Sequence, residues 1–421
     1  MWSHSADVAD ALPAGLLDDL VRRESARVVG MLVRLLGRID RAEEVFQDSL
    51  VAALERWPHE GVPHNPGAWL ATVAKHRAID ELRLERLHET KHDTIAREGS
   101  SVPTSPAAIP DDRLRLIFTC CHPVLSAESQ VAITLRLVCG LRTDEIARAF
   151  LVSEPTIAQR LVRAKRTIAE RRLPYEVPGV AELPERLAAV LSVVYLVFNE
   201  GYSASAGTLL QRTDLAREAI ELGTMLAELL PDEAEVHALL ALMELQTSRS
   251  AARIDAAGDV VLLEDQDRGR WDHPRIARGL AHLERARRGD PAGPYRLQAE
   301  IAGCHATAVS WAATDWARIA ALYGELAQLT PSPVVELNRA VAVAMADGPA
   351  AGLAIVDELR EAPSLRDYRL LPATRADLLR RLGRFAEARA EYERALALTA
   401  NRAEQTFLVR RIDECTRATG G

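Results

Sequence analysis

The chain has 421 residues, enough at roughly 100–200 residues per domain for two to four domains with more than one core. Hydrophobic residues make up 48% and charged residues 27%, which excludes a disordered chain, and 23 glycines and 21 prolines without a period exclude collagen and low-complexity fibres. The net charge of −8 does not exclude a nucleic-acid partner, because residues 113–172 hold 11 basic against 5 acidic side chains, a local excess suited to phosphate contacts.

Residues 1–20 are acidic and lack a basic stretch followed by an apolar run, so no signal peptide is expected and the chain reads as cytoplasmic. Apolar residues recur at three and four over 18–36 (Val28, Leu32, Leu35, Leu36) and again from Ala42 through Val45, Phe46, Ser49 and Leu50 to Ala53, predicting two amphipathic helices. Residues 57–67 contain three prolines and two glycines and read as a loop. The helical period resumes over 68–87 through Trp69, Leu70, Val73, Ile79 and Leu82. A stretch rich in Ser, Pro and Gly follows, placing a flexible linker at 88–112. Residues 113–173 read as several short helices, broken near 121–125, 139–142 and 151–153. The longest apolar run, residues 187–198, is interrupted by Ser192 and too short to span a bilayer.

Beyond Pro184 the pattern is helix pairs. LGRFAEARAEYERALAL, residues 382–398, carries Gly383, Phe385, Ala388, Tyr392 and Ala395 at tetratricopeptide spacing, with the small Ala376 before it. Gly348 and Thr314 lie in register one and two repeats upstream, with Trp316, Ala350 and Phe385 aligned, and a weaker copy spans 215–243. No stretch alternates with period two, so the fold class is all-α, with a helical-repeat array over residues 206–421.

Residues 141–168, LRTDEIARAFLVSEPTIAQRLVRAKRTI, fit helix, three-residue turn, helix. Thr143 is expected to cap the first helix, with Ile146, Ala147 and Phe150 inward. Ser153 is expected to cap the second, with Pro155 tolerated in its first turn. Burying Ile157, Leu161, Ala164 and Ile168 leaves Thr156, Gln159, Val162, Arg163 and Arg166 on the opposite face. Arg can grip guanine and Gln adenine bidentately in a major groove, while Arg142, Lys165 and Arg172 are suited to phosphate. The alternative is a plain helical hairpin with a solvated basic face.

This segment resembles region 4 of extracytoplasmic-function (ECF) sigma factors, the promoter-specificity subunits of RNA polymerase, in its run Thr156-Ile157-x-x-Arg160-Leu161-x-Arg163-Ala164. RAEEVFQDSLVAALERW, residues 41–57, resembles the core-binding helix of region 2, and NPGAWLATVAKHRAIDELR, residues 65–83, the segment that melts and reads the −10 element. The resemblance implies region 2 over residues 1–87 and region 4 over 113–173. It also implies core RNA polymerase and promoter DNA, duplex at −35 and opened at −10, as partners. No cofactor is implied.

Glu43, Glu44 and Asp48 offer an acidic patch on one helix, which in the family meets the polymerase clamp helices; a solvated acidic face is the alternative. The 57–67 loop would capture a flipped base. Trp69, Lys75, His76, Arg77 and Arg83 are candidates for −10 DNA, Trp69 also fitting a core position and His76 standing where many relatives carry Asn. Thr156, Gln159, Arg160, Arg163 and Arg166 are candidates for −35 DNA, although Pro155 and Ala158 depart from the usual residues.

The long C-terminal half resembles a subgroup with a tetratricopeptide-like extension, joined by VVYLVFNEGYSAS over 193–205 within a connecting segment 174–205. Tyr195, Phe198, Asn199, Glu200 and Tyr202 form an aromatic and polar cluster that could brace domains or bind a peptide. The resemblance implies that the extension influences sigma activity, with a peptide or protein as its potential partner. Cys120, Cys121, His122 and Cys139 lack zinc-ligand spacing, and the five scattered cysteines imply a reducing compartment. No phosphate-binding glycine loop or hydrolase motif is present, so no enzyme is expected. The competing reading is a dimeric helix-turn-helix regulator that binds duplex DNA without polymerase.

Overall fold

The computed structural model describes residues 16–90, 112–150, 152–202, 213–255, 260–289 and 291–419. Contacts divide the chain into two compact units, Met1–Val194 and Tyr195–Gly421. Among the described residues the regular elements are helices, with one isolated bridge between Ile254 and Val260 and no sheet, so the fold is all-α as expected. No described helix is long and apolar enough to cross a membrane.

In the first unit, α1 (Leu16–Leu36) buries Leu20, Val28, Val29, Leu32 and Val33 and packs against α2 (Ile39–Glu60) and α3 (Pro66–Thr90). The segment expected as a loop from residue 57 is a loop only over 61–65: Trp57 and Pro58 lie inside α2. Pro58 falls in the last turn, where it has no N–H to give the Leu54 carbonyl, and the Gly61 N–H closes that turn on the Trp57 carbonyl at 2.9 Å. Trp57 is 2% exposed, too deeply buried to take part in base capture, and its ring meets Trp69 edge-on at 5.3 Å. Asn65 Oδ1 accepts the Ala68 N–H at 3.0 Å, capping α3.

Of the linker expected at 88–112, residues 88–90 belong to α3 and Asp112 opens α4 (Asp112–Cys120), while 91–111 lie outside the described residues. Next come α5 (Ala127–Leu137), α6 (Thr143–Ala149) and α7 (Glu154–Glu170), with α7 packed on both α5 and α6. The following helix, α8 (Leu183–Tyr202), contributes residues to both units. Residues 203–205 of the expected connecting segment lie outside the described residues.

The second unit begins with α9 (Thr213–Leu229) and α10 (Ala234–Thr247) and continues through an irregular stretch to α11 (His273–Ala286). Three helix pairs follow: α12 (Pro294–Thr307) with α13 (Trp316–Leu329), α14 (Pro333–Ala346) with α15 (Pro349–Leu359), and α16 (Leu370–Arg381) with α17 (Phe385–Ala397). The last helix, α18 (Arg402–Thr419), covers α17. Ala340, Ala376, Ala388 and Ala395 are fully buried in one core, where small side chains let helices approach. Successive helix pairs thus fill 294–397, while residues 248–272 separate α10 from α11 upstream.

Two histidines, His282 and His305, contribute to the pH response of this unit. His237 Nε2 donates to the Pro231 carbonyl 2.8 Å away, and its Nδ1 lies 3.1 Å from His282 Nδ1. Burial, and then the neighbouring His237, hold His282 down at about 4, and burial holds His305 at about 4 as well. Both are protonated more readily in the unfolded chain, so their contribution is complete above about pH 6.5 and is lost as pH falls toward 4. Discounted for the partial exposure of His282, the loss is about 1–2 kcal/mol. The melting midpoint of this unit should therefore fall by about 2–8 °C between pH 7 and pH 5. His282→Gln should roughly halve that drop; an unchanged pH slope in the variant would contradict the assignment.

Candidate functional site

Helix α7 is amphipathic in the register read from the sequence. Ile157, Leu161, Ala164 and Ile168 are buried, Gln159, Val162, Arg163 and Arg166 are exposed, and Thr156 and Arg160 are half-buried at the edge of that outer face. Ser153 Oγ accepts the Thr156 N–H at 3.4 Å and Pro155 sits in the first turn, as expected. The cap of α6 is different: Arg142, not Thr143, occupies the capping position, and Glu145 accepts the Arg142 backbone N–H at 2.7 Å. The carboxylate three residues into the helix thus satisfies the N–H of the cap residue itself. Leu151, in the turn, lies outside the described residues.

Local charge does not translate directly into free charge. Arg166 Nε donates to Glu170 at 2.6 Å, and Arg142 is paired with Asp144 at 3.2 Å and faces Asp18 at 3.6 Å. Lys165 donates to Glu43. Arg163 and Arg172 remain exposed. Along α3, Lys75, His76, Arg77 and Arg83 share the solvent side, with Arg77 3.5 Å from Asp48 and Arg83 3.4 Å from Asp80. Trp69 is half-buried against Trp57, a packing position.

The three acidic residues grouped on α2 do not form one patch. Glu44 and Asp48 are exposed, but Glu43 is only 8% exposed and turns toward α5 and α7, accepting from Arg136 Nε at 2.7 Å and from Lys165. Burial alone would raise the Glu43 carboxyl, yet Lys165 and Arg136 outweigh it and hold the group below the ordinary carboxylate range. The outward face of α2 is instead Glu44, Gln47, Asp48, Val51, Leu54 and Glu55, spaced by three and four. Val51 and Leu54 are 50% and 40% exposed. Extending the helical period to the outward positions would have found them.

The aromatic cluster on α8 makes its contacts inside the second unit. Tyr195 donates to Gln298 Oε1 at 3.0 Å and meets Tyr295 edge-on, Phe198 stacks on Tyr202, and the Arg253 guanidinium lies 4.0 Å from the Tyr202 ring centre. Asn199 and Glu200 are half-buried beside them. These contacts brace the repeat unit itself. Cys120 and Cys121 are buried, and burial pushes the Cys121 thiol up to about 12, against Thr134 Oγ1 at 3.4 Å. Among the described residues no group of His, Cys, Asp and Glu side chains could hold a metal ion.

Fold and site define a helical protein whose first unit presents a helix-turn-helix and an outward acidic, partly apolar helix face. Three family models match the chain: "Sigma-70 region 2" over residues 20–87, "Sigma-70, region 4" over 115–168, and a family of unknown function, DUF6596, over 186–287. The chain is 44% identical over 406 residues to the uncharacterized protein R00370 of Rhizobium meliloti strain 1021, covering 95% of this chain and 96% of that one. It is 30% identical over 164 residues to the ECF RNA polymerase sigma factor SigL of Mycobacterium tuberculosis H37Rv, covering 38% of this chain and 90% of the relative. The corresponding figure for SigK of Mycobacterium ulcerans Agy99 is 27% over 147 residues, or 33% and 76% of the two chains. The chain belongs to the ECF branch of the sigma-70 family, with a long all-helical extension beyond region 4.

Proposed function

We propose that this sigma factor docks on core RNA polymerase through the outward face of α2 and directs initiation by reading promoter DNA with α3 at −10 and α7 at −35. The observation that carries this reading is the partition of α7. Four apolar residues anchor it in the lobe, and the opposite face offers Thr156, Gln159, Arg160, Arg163 and Arg166 to a groove. Lys75, His76, Arg77 and Arg83 are the proposed contacts to opened −10 DNA, with Trp69 positioning their helix from the core side. Arg142, Lys165 and Arg172 are proposed phosphate contacts. No covalent chemistry is assigned to the chain; the polymerase performs it.

The extension is proposed to modulate this activity through a peptide or protein bound to the repeats. A cavity of about 440 Å³ in the second unit, walled by Trp311, Trp316, Tyr323 and Phe407 with Asp377 and Arg381 at its margin, supports that role. The promoter reading is tested by Arg163→Ala in full-length protein, scored against a panel of −35 sequences with core polymerase. Selectivity at one base position should fall by about 1–3 kcal/mol while the others are kept. A uniform loss across all sequences would make Arg163 a phosphate contact instead.

A further inference from the structure

We propose that the first unit is a closed state in which the helix-turn-helix lobe is latched onto α1 and α2, and that Glu43 is the latch. This rests on the promoter reading above. The two lobes are held by bonds between residues far apart in sequence. Glu43 takes Arg136 and Lys165, and the buried Ser25 hydroxyl donates to the Leu137 carbonyl at 2.8 Å. Arg34 pairs with Asp112 at 3.0 Å and Arg22 with Glu145 at 3.1 Å. The Tyr175 hydroxyl sits 2.7 Å from the Gly30 carbonyl and 2.9 Å from that of Asp112.

Two glycines make the approach possible. A Cβ on Gly30 would stand 2.7 Å from the Asp112 carbonyl oxygen, and one on Gly140, which already has φ +71°, 2.9 Å from that of Val21. No side chain fits at either position without moving one lobe off the other.

The consequence is geometric. Elements at −10 and −35 lie about 25 base pairs apart, or about 85 Å at 3.4 Å per pair, whereas the closed unit bonds Lys165 of α7 directly to Glu43 of α2. A lobe held there cannot read −35 while α3 reads −10, and Lys165 is withheld from phosphate. Glu44, Asp48, Val51 and Leu54 stay exposed in the closed unit, so polymerase can dock first and promoter capture can follow opening. Charge on Glu43 therefore favours the closed form, while charge on Glu44 and Asp48 serves docking.

The chain contains only three lysines, Lys75, Lys91 and Lys165, which makes a zero-length carbodiimide cross-link easy to map. The free full-length protein should yield a Glu43–Lys165 amide, and that product should disappear in the complex with core polymerase and promoter DNA. Glu43→Gln and, as a second variant with Glu43 intact, Arg136→Gln should each form that complex about tenfold more tightly, the gain from releasing a roughly 10:1 closed population. Arg136→Gln should also reduce the cross-link. Failure of the wild-type free chain to cross-link, persistence of the amide in the promoter complex, or unchanged affinity in both variants would each overturn the latch. If no variant and no wild-type protein engages polymerase, the sigma reading falls with it; the cross-link in free protein is scored without polymerase, so the two failures are distinguishable.

Discussion

Glu44→Lys combined with Asp48→Lys is expected to abolish co-purification with core RNA polymerase while leaving the protein folded. Both carboxylates are exposed, and their partners, Arg41 at 2.7 Å and Arg77 at 3.5 Å, lie on the surface, so the effect on stability should stay within about 0.5 kcal/mol per site. The effect on docking is different in kind. A basic surface that matches these carboxylates would meet two like charges, at several kcal/mol, and a loss of about 4 kcal/mol lowers affinity about a thousandfold. Circular dichroism and melting should match the parent. Unchanged co-purification would remove α2 as the docking helix.

The second large effect is on the scaffold that holds these faces. Trp57→Ala deletes a side chain buried at the end of α2 against Trp69, and such truncations cost about 3–5 kcal/mol. That is a large share of the roughly 5–15 kcal/mol by which a domain is stable, so the first unit should unfold at markedly lower urea. Trp57 Nε1 is buried without a hydrogen-bond partner among the described residues. Trp57→Phe therefore keeps a ring in the core and removes an unpaired donor, and should cost far less than alanine. Equal urea midpoints for the two variants would contradict this account of the site.

The residues that were readable from the sequence share one property: their role is set within a few positions of themselves. The inward and outward faces of α7 follow from a 3.6-residue period, Ser153 caps its own helix, and the recurrence of Thr314, Gly348 and Gly383 just before α13, α15 and α17 marks a local helix pair. The inward turn of Glu43 is not legible locally, because nothing near it in sequence distinguishes it from Glu44; the groups that claim it, Arg136 and Lys165, lie 93 and 122 residues away. The loop is shorter than the prolines and glycines of 57–67 suggest, because Pro58 sits within the last turn of α2 and the helix runs on to Glu60. Thr143 lost the cap of α6 to Arg142 because Glu145 could reach back to that backbone N–H. The aromatic run on α8 was visible as a cluster, but its partners Gln298, Tyr295 and Arg253 come from distant parts of the second unit.

Run-off transcription with purified core polymerase, full-length protein and promoter fragments from the organism's own genome tests the central claim most directly. The account predicts transcripts with defined start sites that appear only when both the protein and core enzyme are present, from templates sharing matched −35 and −10 elements. Failure to start synthesis on any template, together with tight binding to intact duplex by the protein alone, would contradict it and favour a regulator that works apart from the polymerase core.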